Sequence, residues 1–202
     1  MKLSLVIPVH NLEKYIEPLL ISLKYQAYDL DEIEPIFICD NCSDMTHDLI
    51  KVYLGKVYKH LIILDREYKS SGLARNDGIE AATGDYIWLL DGDDWLIDNH
   101  AFRKIMEFFE ASDERVLRVP FISNTYKNYE YLFTVWQWVF KSELAKRVKF
   151  TSRPYDDDVE WVQKMIQTHS IYVYPRLDQP LYFYNYMREG SVMFTRKFED
   201  LS

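Results

Sequence analysis

Short apolar runs and amphipathic stretches alternate through the first half of the chain. Leu3 to Val9 reads as a buried strand. Asn11 can cap a helix that sets Ile16, Leu19, Leu20, Leu23 and Ala27 on one face, with Pro18 marking a kink or a late start. Pro35 to Cys39 is a second strand that runs into Asp40-Asn41-Cys42-Ser43-Asp44 and then a helix to about Leu54, with Asp44 suited to cap it. Leu61 to Leu64 is a third strand, and Gly72 opens a helix through Ala82 that Gly84 closes. A fourth strand, Tyr86 to Leu90, stops at Asp91-Gly92-Asp93-Asp94, and Asp98 caps a helix burying Phe102, Ile105, Met106 and Phe109. Strands that alternate with helices predict an α/β fold, a mostly parallel sheet covered on both faces. Pro8-Val9-His10-Asn11 follows the first strand where a dinucleotide fold would carry Gly-x-Gly-x-x-Gly, which argues against that fold.

After residue 114 the pattern changes. Val116 to Phe121 predicts a strand, and Tyr126 to Phe140 is dense in aromatics with a strand at its centre. Ser142 to Arg147 is a short helix, and Pro154-Tyr155-Asp156-Asp157-Asp158-Val159-Glu160-Trp161 opens another through Met165 and Ile166. Ile171 to Tyr174 and Leu181 to Tyr186 read as closing strands. Without a repeat or a linker, residues 1–202 are expected to form a single domain.

In a parallel sheet the loops at the strands' carboxyl ends share one edge, so His10-Asn11, Asp40 to Asp44, Gly72 to Arg75 and Asp91 to Asp94 should converge. The three carboxylates after the fourth strand repel one another, each pair by roughly 1 kcal/mol in water and about 4 kcal/mol at an effective dielectric of 20. A divalent cation with oxygen ligands, Mg²⁺ or Mn²⁺, relieves that repulsion; a solvated acidic turn is the plainer account. An aromatic ring at His10, an acceptor at Asp40, a cation at Arg75 and a metal cluster together fit a nucleoside diphosphate. Each has an ordinary alternative: a satisfied loop histidine, a turn aspartate, and a surface ion pair from Arg75 to Asp77 or Glu80.

Composition narrows the partners. An excess of 32 acidic over 24 basic residues, net charge −8, argues against nucleic acid, whose phosphates need a basic face. The run Leu3 to Val9 is too short for a signal peptide, and no apolar run could cross a bilayer, so a cytoplasmic protein is expected, with peripheral contact at the inner face of the membrane left open. The only cysteines, Cys39 and Cys42, form a Cys-x-x-Cys at a strand end. Zinc would need two further ligands at matching spacing, and a thioredoxin-like redox site is the nearer context.

Taken together and in order, these pieces resemble family 2 glycosyltransferases of the GT-A fold, inverting enzymes that use nucleotide-diphosphate sugars. The resemblance rests on Val6-Ile7-Pro8-Val9-His10-Asn11, the Asp40-to-Asp44 loop, Gly72-Leu73-Ala74-Arg75-Asn76-Asp77-Gly78-Ile79 and Ala82-Thr83-Gly84-Asp85-Tyr86-Ile87. It continues through Asp91-Gly92-Asp93-Asp94-Trp95, similar to the family's Asp-x-Asp metal motif, and Asp157-Asp158-Val159-Glu160-Trp161, similar to the acidic pair that carries its base. The segment from Leu181 to Gly190-Ser191 resembles the family's closing stretch. The resemblance implies a nucleotide-sugar half over 1–112 and an acceptor and base half over 113–202. Pro8, His10, Asn11, Asp40 and Arg75 would bind the donor, with Asp40 on the uracil. Asp91 and Asp93 would hold ribose and metal, Asp94 would be the direct ligand of Mn²⁺ or Mg²⁺, and Asp158, beside Asp157, the general base. The expected partners are a nucleotide-sugar donor, with UDP first, and a saccharide or lipid-linked acceptor of cell-surface polysaccharide synthesis. Cys39 replaces the commoner first aspartate of an Asp-Asp pair, Cys42 a serine and His10 a tyrosine. On this reading the Cys-x-x-Cys is coincidental.

The chemistry follows from need. An acceptor hydroxyl attacks only when a base takes its proton, and neighbouring carboxylates push the Asp158 pKa toward a useful range. An acidic cluster complementing a helix dipole is the plainer reading of Asp156 to Asp158. Two other functions use similar parts: a haloacid-dehalogenase-like phosphotransferase with Asp91 as nucleophile, and a nucleotide-sugar binder without turnover. Acceptor contacts are expected between Pro120 and Arg153 and near Arg188, with Tyr129, Trp136 and Trp138 able to stack on sugar rings, although aromatics so placed are more often core.

Overall fold

The structure is a computed structural model and describes residues 1–124, 134–152, 157–186 and 189. Strands β1 (Leu3–Val9), β2 (Ile33–Asp40), β3 (Ile62–Arg66) and β4 (Tyr86–Leu89) alternate with helices α1 (Glu17–Lys24), α2 (Thr46–Leu54) and α3 (Ser71–Ala81). β1 pairs in parallel with β2 on one side and β4 on the other, and β2 pairs in parallel with β3. β1 is buried almost throughout and β2 and β4 entirely, which is why they read as largely apolar runs. Then follow β5 (Trp95–Leu96), α4 (Ala101–Glu110), β6 (Val116–Arg118), β7 (Phe121–Ser123), β8 (Trp138–Lys141), α5 (Ser142–Ala145), α6 (Asp157–His169) and β9 (Tyr182–Tyr184).

The main sheet has the order β3-β2-β1-β4-β8-β6, with β8 antiparallel to both neighbours. Strand order reverses at β1, since β2 and β3 lie on one side and β4 on the other. Such a switch point opens a crevice beyond the carboxyl ends of the strands. A second sheet, β5-β9-β7, stands beside it. Gly78 lets α3 lie close on β1 and β2, since a Cβ there would strike Val6 and Ile38.

Several expectations shift by a few residues, for visible reasons. α1 starts late, at Glu17, with Pro18 in its first turn, where the missing N–H is no loss. Asn11 caps no helix: it sits at φ 48° and its side chain accepts from the Ser43 N–H at 2.8 Å. Asp44 is not the cap of α2: Met45 holds that position, and Asp44, one residue earlier, takes the Thr46 N–H at 3.0 Å. Ser70 caps α3, and the helix ends at Ala81 ahead of Gly84. Of Tyr126 to Phe140 only residues 134–140 are described, and they lead into β8; the expected centre lies mostly outside the described residues. Ile171 to Tyr174 forms no strand, because Ser170 at φ 54° turns the chain away after α6. Trp136 and Trp138, expected as sugar platforms, are core residues at 1% exposure each. Trp136 stacks on Tyr182 with centroids 4.9 Å apart, and Trp138 lies edge-on to Tyr174. Tyr129, Arg153 and Arg188 fall outside the described residues, as do Tyr155, Asp156 and the Gly190-Ser191 end of the closing stretch.

Candidate active site

The carboxyl edge gathers one loop from each of the first four strands. Asp40 ends β2 and faces the segment after β3, where its carboxylate accepts the backbone N–H groups of Tyr68 (2.6 Å), Lys69 (3.0 Å) and Ser70 (2.9 Å). Lys69 has φ 53°, a left-handed conformation that costs energy for a residue with a Cβ. Three charge-assisted bonds from one buried carboxylate offset that cost. Asp40 was expected on the nucleotide base. It sits at this edge, but with three of its roughly four lone-pair positions engaged it is built first to hold the 68–70 loop. His10 leaves β1 exposed, its Nδ1 2.6 Å from the Asp40 carbonyl oxygen, and Pro8 is half-buried one turn of the pleat before it.

Arg75 on α3 is the centre of the edge. It is buried, donates from Nη2 to Asp91 Oδ1 at 2.7 Å and from Nη1 to Asp157 Oδ2 at 3.3 Å, and lies 5.6 Å from the Phe150 ring centroid. Its Nε has no hydrogen-bond partner in this structure. Burial pulls the guanidinium pKa down, but the charges of Asp91, Asp157 and Asp158 outweigh it and hold the cation. Asn76, one residue on, clamps the same region: its amide donates to the Phe150 carbonyl at 3.0 Å and accepts from the Phe150 N–H at 2.9 Å. Phe150 in turn stacks on Trp161 of α6 with centroids 4.7 Å apart. Gly72 is required here, since a Cβ would stand 2.6 Å from the Thr151 carbonyl oxygen and 2.8 Å from Asp157 Oδ2. So the two acidic motifs, about 65 residues apart in sequence, are drawn onto one arginine.

Asp157 is buried and also accepts from Ser71 Oγ at 3.1 Å. Asp158 is half-buried, its Oδ1 taking the N–H of Val159 at 2.8 Å. Burial raises its pKa to about 6; Arg75 opposes that rise, while Asp91 and Asp157 add to it.

The acidic turn after β4 divides its labour. Asp94, expected as the direct cation ligand, is 1% exposed, and both its oxygens are engaged: Oδ2 accepts from the Tyr182 hydroxyl at 2.6 Å and Oδ1 from the Asn185 N–H at 2.8 Å. These two bonds tie Asp94 to β9 and bracket the turn, and each oxygen keeps a second lone pair. Burial, then Asp93 and Asp91, push its pKa well up. The Tyr182 hydroxyl also accepts from the Asp91 N–H at 3.2 Å, and Asn185 Nδ2 donates to the Asp93 carbonyl at 3.3 Å. Tyr182 and Asn185 were missed as site residues by sequence reasoning, because only the pairing of β9 with β5 brings them under the turn. Asp91 and Asp93 are half-buried at the surface of the crevice. Among the described residues no three His, Cys, Asp or Glu side chains form a ready metal cage. Carboxylates at Asp91 and Asp93 still suit a hard cation that takes its remaining oxygens from phosphate and water.

The mostly parallel α/β sheet thus brings the acidic turn after β4 and a second acidic pair onto one arginine at the carboxyl edge of its strands. The sequence model of Glycosyl transferase family 2 matches residues 4–168, and the chain belongs to that family. Glycosyltransferase GlyA of Streptococcus pneumoniae is 24% identical over 223 aligned positions, covering 95% of this chain and 31% of that protein. The poly(ribitol-phosphate) beta-N-acetylglucosaminyltransferase TarS of Staphylococcus aureus is 29% identical over 119 positions, 59% of this chain and 21% of TarS. The crystal structure of TarS 1–349 in complex with UDP-GlcNAc superimposes with a TM-score of 0.86 at 21% identity, over 96% of this chain and 61% of that one. The mannosyltransferase PcManGT of Pyrobaculum calidifontis, in complex with GDP-Man and Mn²⁺, superimposes with a TM-score of 0.73 at 15% identity, over 94% and 58%. The chain has their GT-A fold and spans about a third or less of the length of these two curated relatives.

Proposed function

We propose that the chain is the catalytic domain of an inverting glycosyltransferase. It would move a sugar from a nucleotide-diphosphate donor, UDP-linked in the first instance, to a saccharide or lipid-linked acceptor of a cell-surface polymer. The observation that carries this reading is the convergence of Asp91 and Asp157 on buried Arg75, which draws the acidic turn and the Asp157-Asp158 pair to one edge of the sheet. The names of GlyA and TarS, and the UDP-GlcNAc in the TarS complex, support the activity and the donor class.

In this mechanism the exposed His10 ring and the 68–70 loop flank the base, with Pro8 and Asn11 shaping the floor. Asp40 fixes the loop. Arg75 holds Asp91 in place for the ribose and diphosphate end of the donor. Asp93, with Asp91, would hold Mn²⁺ or Mg²⁺, which when bound supplies positive charge against the diphosphate. Asp158 takes the proton of the acceptor hydroxyl from the face opposite the diphosphate, which inverts the anomeric centre. Asp157 is a positioning residue, since its Oδ2 is spent on Arg75 and Ser71.

The test is calorimetry of UDP with Mn²⁺, with Mg²⁺ and in chelator. Binding with either cation and its loss in chelator is the expected result; equal affinity in chelator removes the cation from the proposal, and no binding in any condition overturns the donor class. A phosphotransferase would form an aspartyl-phosphate at Asp91. The Arg75 guanidinium, 2.7 Å from the Asp91 carboxylate, weakens that carboxylate as a nucleophile and favours the glycosyltransferase reading.

A further inference from the structure

The Cys-x-x-Cys has no part in the chemistry above, yet the fold brings its two sulfurs together. Cys39 is Cα partner to Val9 across the β1–β2 ladder, and Cys42 Sγ lies 3.5 Å from the Val9 carbonyl oxygen, so both thiols sit on one rung. Both are free, and both lie against Val9, one through the strand register and one through its sulfur. Cys39 is buried and Cys42 half-buried, so a reagent from solvent reaches Cys42 first. The residues between them are Asp40, which carries the 68–70 loop and the His10 ring, and Asn41 at φ 58°, whose N–H donates to the Arg66 carbonyl at 2.6 Å. We propose that Cys39 and Cys42 form a dithiol oxidation site, which a small-molecule disulfide closes into an intramolecular bridge that weakens nucleotide binding. The weakening rests on the donor reading above; the bridge does not.

Cys42 is the attacking sulfur. Cys39, the Asn11 N–H and His10 bring the Cys42 pKa down to about 7 against the opposing effect of burial, while Cys42 and burial push Cys39 up. The thiolate attacks one sulfur of the oxidant, forms a mixed disulfide and expels one thiol. Cys39 then gives up its proton and attacks Cys42 Sγ, expelling the second thiol. Two protein thiols are oxidised, the disulfide is reduced to two thiols, and both protons leave with them. Covalent closure draws the sulfurs inside their nonbonded contact distance, so the 40–42 turn must shift. The three amides on Asp40 and the His10 contact shift with it.

The test uses the chain equilibrated in oxidised and reduced glutathione, read by intact mass and by UDP calorimetry with Mn²⁺. The oxidised chain should lose about 2 Da with no adduct, and Cys39→Ser or Cys39→Ala should instead trap one glutathione on Cys42. UDP affinity should fall about tenfold on oxidation, recover with dithiothreitol, and stay constant in the Cys39→Ser/Cys42→Ser variant. Two glutathione adducts, or an unchanged mass, overturn the bridge. A bridge that leaves UDP affinity unaltered overturns its coupling to the nucleotide edge. Absence of UDP binding in the reduced chain sinks the donor reading and leaves the mass result standing.

Discussion

At the residue scale, Asp158 carries a cost and a use with one cause. Its pKa of about 6 lies above the ordinary 3.8, so its proton is held more tightly in the folded chain than in the unfolded one. The stability this gives is complete below about pH 4 and is lost as pH rises through about 6. Above that range the half-buried carboxylate is charged, a penalty for folding and a requirement for a base. Turnover should therefore rise with pH through about 6. Asp158→Asn should keep UDP affinity, cut turnover by about 10²- to 10⁴-fold, and leave the protein about 1–3 kcal/mol more stable at pH 7.5. Donor calorimetry, rate measurement and urea denaturation of one protein preparation check all three, and retained turnover would hand the base to another group. The sequence made this residue legible because two acidic neighbours before a helix are a local signal. What it hid was the partner: nothing in the string 156–160 says that Arg75 lies opposite.

At the element scale, the amino-terminal edge of the sheet is tied by Glu34 of β2. Its carboxylate accepts from Ser4 Oγ at 2.6 Å, Lys2 Nζ at 2.9 Å, Thr83 Oγ1 at 2.6 Å and the Thr83 N–H at 2.8 Å. One side chain thus joins β1, β2 and the turn that leads into β4, with Gly84 donating to Ser4 Oγ beside it. Burial raises the Glu34 pKa, but those donors outweigh it and bring it down to about 2. A depressed pKa contributes stability above the ordinary value of 4.5 and loses it as pH falls toward 2. Glu34→Gln should cost about 1–3 kcal/mol at neutral pH, and the difference from the parent should close between pH 4.5 and 2 in denaturant titrations. A constant gap across that range would mean packing, not charge, holds the edge. The first four strands and the alternation with helices were readable because central parallel strands are apolar on both faces. Past residue 114 the strands are short, three of them three residues long, and partly antiparallel. Periodicity over three or four residues says little, which is why a strand was expected at 171–174.

Over the whole molecule, the second sheet exists to finish the first one's edge. Tyr182 stacks on Trp136, which packs edge-on against Phe121 of β7, and its hydroxyl spans Asp94 and the Asp91 N–H. Tyr182→Phe keeps the stack and removes that bridge, leaving buried Asp94 short of a donor. We expect a loss of about 1–3 kcal/mol in stability together with weaker cation-dependent UDP binding. Stability loss with unchanged UDP affinity would show that the bracket serves folding alone. Asp94 shows what the string hides: Asp91-Gly92-Asp93-Asp94 presents three equivalent carboxylates, and only a contact 88 residues away separates the buried one from its half-buried neighbours.

That long span also sets a schedule. During synthesis the four parallel strands and Arg75 leave the ribosome well before Tyr182 and Asn185. Until those two arrive, the turn after β4 lacks its tether. An emerging chain would therefore acquire a folded scaffold first and a competent edge last, and a nascent protein stalled short of β9 should resist proteolysis in its sheet while failing to retain nucleotide.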